Sequence, residues 1–140
     1  MEPHKEYLED ETGLYFLQNG IIHCIYHKNT VIDLTTIKKV IKNRNTLAAG
    51  IPRPLLLDLQ GALYWTREAK YYTWVNKAHM LSITAIAPVV NSLAIKITVN
   101  WSIIFYPPSV PVKIFTKISP ALEWLEKYKT KPPIKDPILK

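Results

Sequence analysis

The run Pro54-Leu55-Leu56-Leu57-Asp58-Leu59 constrains this chain more than any other stretch. Consecutive apolar side chains leave a strand no solvent face, so the run reads as a strand buried on both sides, and such strands belong to sheets with helices packed on their faces. It ends in an acid and a Gln60-Gly61 turn, after which the chain reopens as a helix at Thr66-Arg67-Glu68-Ala69. A central strand delivers a loop to the carboxyl edge of its sheet in this way, and that edge is where α/β folds place working residues. Asp58, Gln60 and Gly61 are therefore candidate site residues of the loop.

Around this strand the chain reads as a single α/β domain with a mixed sheet. Residues 1–12 read as a polar lead-in. Residues 13–18 and 21–26 flank Asn19-Gly20, whose two residues tolerate positive φ, which predicts an antiparallel hairpin closed by a type I′ turn. After a Lys28-Asn29 turn, Val31-Ile32 leads to Asp33 or Thr35 as the N-cap of a helix with Ile37, Val40, Ile41, Leu47 and Ala48 at core spacing. Arg44 falls on that apolar stripe and must snorkel, pair with an acid, Asp58 being one candidate, or lie past the regular helix. Gly50 and Pro52 end the helix. Thr66 then caps a second helix reaching about His79, with Glu68 in the first turn where the helix dipole favours an acid. Ala69, Tyr72, Val75 and His79 form one stripe of it, and Arg67, Lys70, Tyr71, Trp74 and Lys77 another.

Residues 81–90 predict a second buried strand and residues 112–115 a short third one. Between them, residues 93–105 carry two conflicting signals. Ile95, Ile97, Val99, Trp101, Ile103 and Phe105 alternate with polar neighbours, the period of a half-buried strand. Parallel neighbours, however, need a crossover between them, and a helix capped by Ser92 supplies it. The topology predicts the helix, with Leu93, Ile97, Trp101 and Ile104 facing in and Ile95, Val99 and Ile103 on an outer apolar face. Ser119-Pro120 opens a last helix over residues 121–128 with Leu122 and Leu125 inward. Residues 129–140, rich in proline and lysine, read as an extended tail.

The order of hairpin, helix and strand-helix units, with Leu57-Asp58-Leu59, Gln60-Gly61 and a hydroxyl residue opening the next helix, resembles the STAS domain. That family includes the bacterial anti-sigma-factor antagonists and the cytoplasmic domains of sulfate transporters. Over residues 13–128 the chain looks most like the small, uncharacterised stand-alone STAS-like proteins of bacteria. The antagonists carry an Asp-Ser-Ser-Gly run at the head of the helix after the central strand, and a serine there is phosphorylated to control partner binding. Here the place reads Trp65-Thr66-Arg67-Glu68-Ala69. The resemblance therefore implies a regulatory module with Thr66 as its phospho-switch, while a helix N-cap by itself explains a threonine at that point.

Composition narrows the function classes. At 140 residues, 48% of them apolar and 21% charged, the chain is long enough for one real core. No stretch approaches the ~20 apolar residues that span a bilayer, which argues against membrane insertion. The single cysteine, Cys24, fits a reducing compartment, and the cytoplasm is the expected location. The net charge of +7 favours an anionic partner. The aromatic residues do not fall at the spacing of a base-stacking sheet, which argues against nucleic acid.

His23, Cys24 and His27 invite a metal, but on a strand Cys24 points away from both histidines, which sit ~13 Å apart. No glycine-rich phosphate loop or flanked nucleophile is present. No catalytic residue, metal or cofactor is expected. The reading that remains is a non-enzymatic regulatory or protein-binding module. Its partner surface is formed by Arg67, Lys70, Tyr71, Trp74, Lys77, Ile95, Val99 and Ile103, and a homodimer would compete for the same surface. A small-molecule or lipid-binding domain is the runner-up, and an enzyme comes third.

Overall fold

The computed structural model describes residues 7–75 and 82–129. Asn19 and Gly20 take φ of 53° and 75°, so the turn closes β2 (Gly13–Gln18) onto β3 (Ile21–Tyr26) as its sequence requires. Outside them β1 (Tyr7–Glu9) pairs antiparallel with β2. Part of the expected lead-in is therefore strand, too short to show a period in the sequence. The chain continues through β4 (Thr30–Ile32), α1 (Leu34–Ala48), β5 (Arg53–Asp58), β6 (Ala62–Trp65), α2 (Arg67–Val75), β7 (Ile83–Val89), α3 (Leu93–Phe105) and α4 (Ile118–Glu126).

The main sheet runs in the order β1-β2-β3-β5-β7, with β3, β5 and β7 parallel. β5 lies between two parallel neighbours and is buried, as its leucine run demands. Leu55, Leu57 and Leu59 face a core shared with Ile37, Val40 and Ile41 of α1, Ala69 and Trp74 of α2, and Ile95 and Val99 of α3. Leu56 faces the other way, with Ala85, Ala87 and Val89, onto Ala121 and Leu125 of α4. Three helices thus cover one face and one covers the other.

Asp33 caps α1, accepting from the backbone N–H of Thr36 at 2.8 Å. α4 begins at Ile118, one residue before the Ser119-Pro120 signal and three before the expected start at residue 121, and it buries Ala121 with Leu125 while Leu122 is half-buried. The strand expected over residues 112–115 is reduced to two parallel bridges, Ile86 with Val112 and Val89 with Phe115. Proline explains the break. Ile86 N–H donates to Pro111 O and Val90 N–H to Phe115 O, but Pro88, at the position between them, has no N–H for the intervening rung. β4 and β6 form a separate two-stranded parallel sheet at the carboxyl edge. Between the Gln60-Gly61 turn and the helix at Thr66 no element is expected from the sequence, yet Leu63, Tyr64 and Trp65 are good strand formers.

The largest correction concerns α3. It is a helix, as the topology argument requires, but its faces are reversed. Ile95, Val99 and Ser102 are buried and Ile103 is half-buried, whereas Leu93, Ile97, Trp101, Ile104 and Phe105 are exposed. With Lys96, Thr98, Asn100 and Ser102 spread among nine apolar residues, the hydropathy period is too weak to choose a face. Packing chooses it: the smaller β-branched side chains let the helix sit close over Trp65 and Trp74, and the bulky Trp101 and Phe105 go outside.

A candidate docking face and the loop beside it

At the end of β5, the Asp58 carboxylate is buried and accepts the N–H of Gln60 at 3.0 Å, a closed Asx turn. Gly61 then passes so close to β3 that a Cβ there would lie 2.5 Å from Tyr26 O, so only glycine lets the loop lie flat. The chain returns along β4, where Thr66 N–H donates to Ile32 O, and Thr66 Oγ1 accepts from Ala69 N–H at 3.2 Å. Thr66 is thus an N-cap by geometry, half-buried, at the place its sequence position indicates.

α2 separates the residues expected on one surface. Arg67 and Tyr71 are exposed and Lys70 is half-buried, but Trp74 is 3% exposed, and Lys77 lies outside the described residues. Trp74 turns inward because its indole N–H has a partner there: it donates to Ser102 Oγ at 2.9 Å, while Ser102 donates to Val99 O at 2.8 Å. Of the eight residues read as a partner surface, Trp74, Ile95 and Val99 therefore belong to the core. Ser102, a lone hydroxyl facing inward in an apolar helix, was the sequence signal for the correct face.

That face presents Leu93 at 73% exposure, Ile97 at 47%, Trp101 at 54%, Ile104 at 64% and Phe105 at 67%. The Trp101 and Phe105 rings stack, their centroids 5.5 Å apart. Leu63 and Tyr64 are exposed on β6, which packs against α3. Lys96 and Asn100 line the row on its polar side. Contiguous exposed apolar residues on this scale mark interaction sites.

Next to the start of α2 lies a cavity of about 310 Å³ lined by Leu34, Arg67, Glu68, Tyr71, Tyr72 and Tyr106. Of these the sequence offers Arg67 and Tyr71 as surface residues and Tyr72 as part of an inward stripe, and the cavity forms only when Leu34, Tyr72 and Tyr106 meet from three separate segments.

Beneath α1, the buried Arg44 guanidinium has its proton affinity lowered by burial, and Cys24, Tyr26 and Tyr15 oppose that shift. Asp58, one candidate partner offered by the sequence, accepts the Gln60 N–H with one carboxylate oxygen. Burial pushes the Cys24 thiol up to about 12 despite the nearby Arg44. The three metal candidates diverge. His23 stacks on Phe16 at 4.4 Å, Cys24 lies in the α1 core, and His27 Nε2 sits 3.0 Å from Asp10 O. Among the described residues no three His, Cys, Asp or Glu side chains gather as metal ligands. Nor, among the same residues, is any helix long and apolar enough to cross a membrane.

The fold has a solved counterpart, an uncharacterized protein of the DUF3478 family with a SpoIIAA-like fold from Shewanella loihica PV-4. It superposes with a TM-score of 0.52 at 14% identity, over 87% of this chain and 92% of that one. The STAS-like fold expected from the sequence is thus the fold observed. No curated protein matches the sequence. The model of a domain of unknown function, DUF7793, matches residues 15–129, and the chain belongs to that family.

Proposed function

We propose that this STAS-like domain is a non-enzymatic regulatory module that docks a protein partner on the outer face of α3. The observation that carries the reading is the row Leu93, Ile97, Trp101, Ile104 and Phe105, held in water by a helix whose opposite side is the core. Burial of each such side chain is worth roughly 1.5–3 kcal/mol, so a complementary surface has much to gain there. A stacked Trp–Phe pair in an apolar row edged elsewhere by Lys96 and Asn100 has the composition of an interface anchor with a polar rim. With Lys96 at the row and a net charge of +7, the partner that fits is an amphipathic segment with acidic flanks. The polar groups at the carboxyl edge support a binding role over chemistry, since Asp58 and Thr66 are each taken up by a backbone N–H. In this proposal Thr66 is the regulated residue, by likeness to the serine of the antagonists, and a single cysteine, Cys24, suits action in the cytoplasm.

Ile97→Lys and Trp101→Ala test the face, because both side chains are outside the core. The expected result is a folded protein with an unchanged far-ultraviolet spectrum that loses a discrete crosslinked partner seen with a photo-reactive group at position 104. Rising salt should weaken that complex. A wild-type dimer by sedimentation that both substitutions dissolve would assign the face to a second copy of the chain. A monomer with no crosslinked partner would overturn the proposal.

A further inference from the structure

We propose that the cavity beside the start of α2 binds a small amphipathic anion, a flat apolar body carrying one carboxylate. The site stands apart from the outer face of α3 and does not rest on partner docking there. At about 310 Å³ the cavity is at the lower end of the range of small-molecule sites, with room for one or two fused rings. Its walls are the side chain of Leu34 and the rings of Tyr71, Tyr72 and Tyr106, contributed by α1, α2 and the residue after α3. The Tyr71 and Tyr106 rings meet edge to face, 5.2 Å between centroids and 85° between planes, so each holds the other in place. Such walls select a flat, apolar ligand.

Charge selects its head group. Arg67 and Glu68 both line the cavity, and the Lys38 ammonium lies 5.6 Å from the centre of the Tyr72 ring. Arg67 and Glu68 thus set one cation and one carboxylate at the cavity, and Lys38, outside its lining on the Tyr72 ring, adds a second positive charge nearby, at the positive end of α2 and in a chain of net charge +7. The exposed guanidinium of Arg67 offers the paired donors that a carboxylate accepts. Three tyrosines and a glutamate also describe a cage for an organic cation, but Lys38 already covers one face of Tyr72, and its charge together with that of Arg67 opposes a second ammonium.

The test is titration of the full chain with 2-naphthoate, its neutral isostere 2-naphthylmethanol and 2-naphthylmethylammonium, followed by calorimetry and by the tyrosine ring resonances in NMR. Naphthoate should saturate below about 1 mM, move the rings of Tyr71, Tyr72 and Tyr106, and bind about tenfold more tightly than the alcohol. Arg67→Gln, at an exposed position, should remove that tenfold advantage and leave the alcohol unchanged. Tyr106→Ala should weaken both. The proposal is overturned if none of the three saturates below about 1 mM, if the alcohol or the ammonium binds as tightly as naphthoate, or if Arg67→Gln has no effect on naphthoate.

Discussion

The indole N–H of Trp74 donates to the hydroxyl of Ser102 at 2.9 Å, joining α2 to α3 inside the core and fixing which side of α3 faces solvent. Both groups are buried, so removing the hydroxyl leaves the indole N–H unsatisfied, whereas removing the indole leaves Ser102 its bond to Val99 O. Ser102→Ala should cost about 1–2 kcal/mol by urea denaturation. Trp65 gives the control, since its buried Nε1 has no hydrogen-bond partner among the described residues. Trp65→Phe should cost less than Trp74→Phe by about 1 kcal/mol. Equal costs would show that the bond adds nothing beyond packing.

Ala49 ends α1 with φ 53° and ψ 41°, a left-handed conformation that disfavours any residue with a Cβ. Ala49→Gly should stabilise the protein by about 0.5–1 kcal/mol, visible as a raised melting temperature. The gain is smaller than the full strain because glycine also loosens the unfolded chain.

Thr66 carries two separable roles. Thr66→Ala should cost about 1 kcal/mol through loss of the Ala69 cap, and Thr66→Ser should restore it. Thr66→Asp keeps an acceptor for the cap and adds charge at a helix start, where it is tolerated. If Thr66→Asp leaves partner retention as in the wild type, phosphorylation at this position is not the switch.

Cys24 should resist alkylation in the native state, because the thiolate is the reactive form and burial holds the thiol neutral up to about pH 12. Its labelling by iodoacetamide should follow unfolding and accelerate in denaturant. The linkage has a definite sign. The unfolded thiol ionises above about pH 8.5 while the folded one keeps its proton, so the unfolded state is favoured as pH rises from there towards 12. Cys24→Ala should remove that part of the alkaline loss of stability.

The fold was legible where local chemistry is decisive. Asn19-Gly20 permits one kind of turn, and a leucine run such as 55–57 has one kind of place in a sheet. Even the helical state of α3 followed from topology against propensity. Its orientation did not follow, because Leu93, Ile97 and Trp101 are as apolar as Ile95 and Val99, and only the inward hydroxyl of Ser102 and the fit against two tryptophans distinguish the sides. Trp74 was misplaced for the same reason, since its acceptor lies on another helix. The cavity was illegible because Leu34, Tyr72 and Tyr106 meet only after α1, α2 and α3 have packed.

Pro88 has an effect beyond the rung it removes. The segment 111–115 lies along β7 and occupies the ladder positions that β7 would otherwise offer to a passing strand, but the gap at Pro88 keeps it from becoming a regular strand with a straight edge of its own. Among the described residues the opposite border is β1, of three residues, and it carries Glu9. A protein that leaves an apolar helix open to solvent brings its own copies together at high concentration, and such encounters are dangerous chiefly when strand edges can then join. With one border irregular and the other short and charged, crowding should give reversible clusters held through α3 and no ordered fibrils.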